Sequence, residues 1–454
     1  MIRSACSLTL GGGTWRFTQL SSGVLGGYQT TTALGKDYAA RGAENGPLGY
    51  PTKIVDCTSD CRVPFENADL SQSQGVVLLI QEPYRSVAIG IATGDPVCGI
   101  AGGRCRQTFT DSVAYKLSDG TGVAVSGTIR ARWTALGGET GSLGFPLANA
   151  VSTASGLQQQ FQGGYLAEGY APYGSPRPVV VIKGGILGRY LITGANTLGA
   201  PAEAETCNAA HNLCSQGFDN GRIWWSSAVG AHSVLFIGFL TTYQNRGAAT
   251  GPLGYPRTEL QCNGPNGGCH QEFRSGALWS PTSDWGSAFG MYGMATHGAI
   301  GGKYASLNSA WGTLGYPSYE EDCPVSTICH QDFRNGQIWW TPGTGANMLR
   351  GGIGAAWNNG GQLVGFPTQD EQCSGPRAGC YQWFQKGIYW WSSQSGVHPV
   401  KDGFKAAYER LGWAWGRLGY PTSDEYWTNS GSRQDFQGGS LLWNWNGYAI
   451  VIWR

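Results

Sequence analysis

The sequence predicts a mainly β protein with short helices, built from tandem helix–turn–β-hairpin units. Three observations lead there. First, a motif of Leu, Gly, an aromatic residue and Pro keeps returning: Leu48-Gly49-Tyr50-Pro51, Leu143-Gly144-Phe145-Pro146, Leu198-Gly199-Ala200-Pro201, Leu253-Gly254-Tyr255-Pro256, Leu314-Gly315-Tyr316-Pro317, Val364-Gly365-Phe366-Pro367 and Leu418-Gly419-Tyr420-Pro421. Its prolines stand about 50–60 residues apart, with one longer gap between Pro51 and Pro146, which marks a duplicated supersecondary unit. Second, 73 Gly, 19 Trp, 21 Tyr and 15 Phe among 454 residues, with only 13% charged, describe a turn-rich, aromatic-rich chain. Third, twelve of the 13 cysteines fall at one fixed place in the unit. The long gap divides at Thr93-Gly94-Asp95-Pro96, a worn copy, so eight units are expected.

Each unit opens with an apolar residue and an aromatic four later: Leu34 and Tyr38, Ile129 and Trp133, Ile186 and Tyr190, Phe239 and Tyr243, Ile300 and Tyr304, Ile353 and Trp357, Phe404 and Tyr408. That spacing puts both on one face of a short helix, which glycines such as Gly137-Gly138 and Gly360-Gly361 end. Helices of two or three turns do not stand alone in water, so packing must hold them. The motif follows as a tight turn, because Gly takes φ values other residues resist and Pro fixes its own. The unit closes with a hairpin whose second strand reads Phe, two residues, Gly, one residue, apolar, aromatic, as in Phe333-Arg334-Asn335-Gly336-Gln337-Ile338-Trp339-Trp340. Phe65, Phe109 and Phe161 open increasingly eroded versions towards the N-terminus.

The cysteines form six pairs: Cys57 with Cys61, Cys98 with Cys105, Cys207 with Cys214, Cys262 with Cys269, Cys323 with Cys329, and Cys373 with Cys380. In each, the second stands four residues before the hairpin Phe; in five, the first stands six after the motif Pro. Two copies lose both members together, with Ser152 and Leu157 in one and Trp427 and Ser432 in the other. Joint loss is what a bonded pair predicts. Six disulfides imply an oxidising compartment, hence secretion or the cell envelope, although no apolar leader is visible at the N-terminus. A structural zinc site is the weaker reading, since each unit offers two cysteines and four ligands are needed. No metal or cofactor is expected, and Cys6 is left over.

Residues 1–30 echo the tail of a partial unit through Phe17, Gly23 and Leu25; residues 31–175 hold three degenerate units and 180–454 five good ones. Pro172-Tyr173-Gly174-Ser175-Pro176-Arg177-Pro178 is the linker between the two sets. A net charge of +1 gives no electrostatic footprint for nucleic acid or an anionic membrane, and no apolar run reaches the roughly 18 residues of a transmembrane helix.

Together the Gly-x-Ile-x-x-x-Tyr helix, the Leu-Gly-Phe-Pro turn with acidic residues after it and the Phe-x-x-Gly-x-Ile-Trp-Trp strand resemble the LGFP-repeat family. The resemblance covers roughly residues 31–454. It implies a secreted or envelope-bound protein of actinobacterial type, with repeats gathered in a propeller-like way around a pseudo-symmetry axis. It also implies a hold on cell-wall polysaccharide such as arabinogalactan, a role the family plays when fused to mycoloyltransferases and peptidoglycan hydrolases. This chain departs from the pattern in its paired cysteines, its larger number of copies and its lack of a catalytic domain.

Glycan-binding candidates are Trp225, Trp340, Trp391 and Trp443, which share one position in the unit where Ser280, Glu168 and Lys116 stand in other copies. A Trp at such a tolerant position can stack on a sugar ring, whereas strand alternation would bury Trp225 beside Ile223. The acids after the motif, Glu205, Glu321, Glu371 and Glu425, can accept from sugar hydroxyls or from backbone N–H groups of the turn. The six scattered His fit no nucleophile or metal motif, so no catalysis is expected. The expectation is a multivalent, non-enzymatic polysaccharide binder; the alternative is a structural or targeting subunit whose aromatics meet protein partners.

Overall fold

The motif builds its turn as its residues dictate. In the computed structural model, which describes residues 4–10, 13–20, 23–57, 59–153, 156–169, 177–235, 239–282, 293–444 and 447–454, every motif Gly has positive φ, from +65° at Gly419 to +78° at Gly199. A Cβ on Gly419 would stand 2.6 Å from the Gln437 Oε1 atom, so the position is closed to other residues twice over. The helix aromatic locks the same turn: Tyr38, Tyr243, Tyr304 and Tyr408 donate their hydroxyls, and Trp133 and Trp357 their indole N–H, to the carbonyl of the motif Gly. This is why the aromatic stands four after the apolar residue: one side of the helix fills the core and its tip ties down the turn. The motif Pro then bridges to the hairpin Phe, as in Pro317 to Phe333.

The second copy was expected at Thr93-Gly94-Asp95-Pro96, and the structure corrects it. Ala92, not Pro96, bridges to Phe109, and Gly90 carries the positive φ of +92°, so the turn is Ile89-Gly90-Ile91-Ala92. In this register Cys98 also stands six residues after the bridging position, as in the other five pairs.

Strands form nine antiparallel sheets of three or four strands among the described residues. A hairpin was expected in each unit; the structure adds an outer strand that runs into the next helix. In the sixth repeat Ile328–Phe333 and Gly336–Thr341 make the hairpin, and Gly345–Arg350 leads into the helix Gly351–Asn358. The N-terminal strands Ser4–Leu10, Gly13–Leu20 and Gly23–Gln29 form a sheet of their own, with Cys6 opposite Phe17. Tyr28 of that sheet is buried in the first repeat's core with Leu34 and Tyr38.

Both faces of a hairpin are covered, which explains consecutive tryptophans. In the seventh repeat Tyr389 and, partly, Trp391 pack into that repeat's own core with Ile353, Trp357 and Phe384. Ile388 and Trp390, on the opposite face, pack into the eighth repeat's core with Phe404, Tyr408, Leu418 and Tyr420. The sheet of the seventh repeat is thus a wall shared by two repeats.

All six expected cysteine pairs are disulfide-bonded: Cys57 to Cys61, Cys98 to Cys105, Cys207 to Cys214, Cys262 to Cys269, Cys323 to Cys329, and Cys373 to Cys380. Each bond ties the loop after the turn to the start of the hairpin, and its second sulfur faces inward. Cys61 is buried in the first repeat's core, Cys105 packs at the edge of the second's, and Cys269 is buried while Cys262 stays exposed. The bridges therefore staple each hairpin at its core side.

The chain divides into two compact units, Met1–Ala231 and His232–Arg454, the division falling inside the strand Gly230–Leu235. The expected linker lies mostly outside the described residues. No helix among the described residues is long and apolar enough to cross a membrane.

Candidate functional site: the seams between repeats

Where one repeat's hairpin meets the next repeat's turn, a buried glutamine holds the seam. Gln107, Gln159, Gln216, Gln271, Gln331, Gln382 and Gln434 each donate two Nε2 hydrogen bonds, one to a carbonyl of the preceding repeat's outer strand and one to the loop after their own motif. Gln382, for example, reaches the Met348 carbonyl at 2.7 Å and the Gln369 carbonyl at 2.9 Å. Sequence reading missed this residue, although Gln stands two before the hairpin Phe in seven of eight copies and was there to be counted. Val63 takes the place in the first. The residue three after the motif Pro adds a second tie: Asp370 accepts from the Met348 N–H, Glu320 from Ala295, Glu259 from Ser233 and Asn149 from Ala124.

On this frame the seam aromatics are arranged. Between the fifth and sixth repeats His270 stacks on Trp279 at 5.0 Å and 14°, and Trp311, from the turn before the next motif, stands edge-on to both at 5.3 and 6.0 Å. Trp279 is buried and donates to the Thr296 hydroxyl, while Trp311 keeps 45% of its surface exposed. Burial holds the His270 imidazole below its ordinary pKa against the pull of Glu272, so it stacks as a neutral ring at pH 7. Around Trp311 a groove of about 390 Å³ is lined by Arg257, Glu272, Arg274 and Ser309.

The seventh and eighth repeats rebuild the trio with other residues. Tyr381 and Trp390 lie 4.9 Å apart, and Trp415 stands edge-on to each at 5.8 Å with 55% of its surface exposed. Between the sixth and seventh repeats His330 stacks on Trp339 at 4.3 Å, but Gly361 occupies the place of the third ring. The available signal for Trp311 and Trp415 was a Trp three residues before the motif Leu, present in two copies.

The tryptophans singled out from sequence lie elsewhere. Trp225, Trp340, Trp391 and Trp443 are half-buried and sit directly across the hairpin from Cys214, Cys329, Cys380 and Ser432. Trp225, Trp391 and Trp443 crowd the second residue of their own repeat's helix: Cβ atoms on Gly185 and Gly403 would collide with the rings of Trp225 and Trp443, and one on Gly352 would press on Trp391 at 3.3 Å. In the third repeat Glu168 meets that helix position through a hydrogen bond from Thr128. Glu205, Glu321, Glu371 and Glu425 face the basic residue that precedes their repeat's helix: Lys183 at 3.8 Å, His297 at 3.4 Å, Arg350 at 3.0 Å and Lys401 at 3.2 Å. Burial raises the pKa of Glu321 and Glu371. Three of these acids cluster with their repeat's two cysteines, but those sulfurs are bonded to each other and offer no thiolate to a metal.

Helix, motif turn and disulfide-closed hairpin, repeated and stapled, define a tandem-repeat scaffold with aromatic seams, and its six disulfides fit an extracellular protein. The LGFP-repeat description matches residues 89–141, 198–251, 253–312, 314–362, 364–416 and 418–454, and the chain belongs to that family. Its first matched segment begins at Ile89, the corrected turn of the second copy. No curated protein matches the chain. Among solved structures, similarity extends to a catalytically inactive virginiamycin B lyase from Staphylococcus aureus (10% identity, 74% of this chain and 89% of that one, TM-score 0.11). It extends also to the extracellular domain of a putative hybrid two-component system from B. thetaiotaomicron (8% identity, 98% and 70%, TM-score 0.12). Scores this low carry nothing about fold or function.

Proposed function

We propose that this chain is a secreted, non-enzymatic protein of the cell envelope that holds polysaccharide, of arabinogalactan or peptidoglycan type, through several similar weak sites. The observation that carries the reading is the exposed ring set on a rigid aromatic trio, Trp311 at one seam and Trp415 at another. A Trp set edge-on to two packed rings offers sugar a flat apolar surface while losing little rotamer freedom on binding. Two such platforms on one scaffold gain by avidity, with no new contact needed. The half-buried Trp225, Trp340, Trp391 and Trp443 contribute through the partial face they leave to solvent. The propeller-like gathering of repeats implied by the family resemblance belongs to the same proposal.

Co-sedimentation with purified cell walls tests it. Trp311→Ala and Trp415→Ala should each weaken retention, and the double variant should lose more than the sum because avidity is lost. Retention unchanged in the double variant, or absent in the native protein, overturns the reading. The alternative, a subunit of an extracellular protein assembly, is favoured by one feature: the strand Ala449–Trp453 leaves Ile450, Ile452 and Trp453 about 40% exposed. A concentration-independent monomer on sizing would remove it.

A further inference from the structure

We infer that the groove beside Trp415 takes acidic sugar, a glycan carrying carboxylate or phosphate, and not a neutral one. The inference rests on the glycan-binding reading and assigns the ligand's charge. The groove, of about 510 Å³, lies between the disulfide loop of the seventh repeat and the turn, motif and hairpin tip of the eighth; Trp415, Arg377, Arg417, Tyr420 and Gln437 line it. Neither guanidinium forms an ion pair with a carboxylate among the described residues, and no acidic side chain lines the groove. In a chain with a net charge of only +1, two unmatched cations at one place are local design and not the overflow of a basic protein.

The Arg377 backbone and the Arg417 guanidinium are held. Arg377 sits at φ +52° inside the loop closed by Cys373–Cys380, and the Tyr420 hydroxyl ties that loop down by donating to the Pro376 carbonyl at 2.7 Å. Arg417 lies over the Trp453 ring, 4.5 Å from its centroid. The groove therefore presents a flat apolar ring with two guanidinium forks beside it, one on a tied loop and one laid on a ring. A guanidinium matches a carboxylate or a phosphate with paired N–H donors, and an exposed Trp face takes the sugar ring that carries it. The groove at Trp311 differs, since Glu272 lies among its arginines.

Calorimetry on the full chain separates the possibilities with three probes: hexagalacturonate, the same oligomer fully methyl-esterified, and poly(glycerol phosphate). Binding of either anionic probe at least about tenfold tighter than the ester supports the inference, and the tighter of the two names carboxylate or phosphate as the source. Arg377→Gln and Arg417→Gln should each weaken that binding by about threefold, with less difference between variants and native protein at high salt. Both side chains are exposed, so the variants fold. Equal affinity for acid and ester, or unchanged binding in both Arg variants, overturns the inference and leaves the glycan reading standing. Absence of binding to any wall glycan would remove both.

Discussion

The seam between the first and second repeats and the seam between the seventh and eighth use the same positions for opposite chemistry. In the first, the positions three before and four and six after the hairpin Phe are Arg62, Asp69 and Ser71; in the second they are Tyr381, Ile388 and Trp390. Asp69 is buried, with Arg62 and Arg85 each 2.8 Å from its carboxylate, and Arg62 also donates to the Arg85 and Ala88 carbonyls of the next repeat. At the other seam the same space is filled by rings, with Trp390 1% exposed. The fold therefore does not depend on what fills the seam. It depends on the Gly turn, the helix aromatic and the hairpin Phe, which both repeats share. Trp415 stands against the rings of an aromatic seam, so seam chemistry is where copies of one scaffold differ in the surface they present.

The sharpest way to break this comparison is to empty each seam. Asp69→Ala leaves two partly buried guanidinia without their anion and should cost about 3–5 kcal/mol. Trp390→Ala removes a fully enclosed ring and should cost about as much, 3–5 kcal/mol, by leaving a cavity. Trp415→Ala, on the exposed face, should stay within about 0.5 kcal/mol. Urea unfolding measures all three. A small effect of Asp69→Ala would mean that the ionic seam is solvated and merely decorative.

What was legible in the sequence follows the same division. The motif, the helix aromatic and the cysteine pairs show in the sequence because each meets a backbone demand that few residues satisfy. The seams do not show, because Arg with Asp and Tyr with Trp solve one packing problem and share no pattern. That is why the first copies read as eroded when Asp69, Arg62 and Arg85 build them as fully as any. The second copy was misplaced for a related reason. Pro96 matched the motif's letters, whereas the geometry requires only a Gly free to take positive φ and an extended residue two further on, and Gly90 and Ala92 supply both. Counting six residues back from Cys98 would have found them. The outer strands stayed hidden because stretches such as Gly396–Lys401 lack the alternation of a half-buried strand; they are set by their neighbours.

A milder break is at the staple. Gln382→Val gives the seventh repeat the residue that the first repeat carries at Val63. It leaves the Met348 and Gln369 carbonyls without the amide donor, at a cost of about 1–3 kcal/mol. The same loss should appear at Gln331 and Gln434, whose bonds are equivalent. Equal stability of Gln382→Val and the native chain would show that the glutamine is incidental to the seam.

The smallest effect is a pair of opposite pH slopes. Glu371, inside the aromatic seventh repeat, has its pKa raised by burial despite the Arg350 guanidinium at 3.0 Å. The folded protein then keeps this proton at pH values where the unfolded chain has released it, so stability falls as pH rises from the ordinary 4.5 through the raised value. Asp435, on the ionic outward face of the last hairpin, behaves in reverse. Burial pushes its pKa up, but hydrogen bonds from Ser440, Arg433 and Tyr426 together bring it below the ordinary 3.8. Its contribution is present above that value and is lost as pH falls through the lowered one. Relative to the native chain, Glu371→Gln should therefore gain stability as pH rises from acid to neutral, and Asp435→Asn should lose it. Melting curves of the two variants across that range should diverge in opposite directions; parallel curves would mean that these two carboxyls titrate alike in the folded protein.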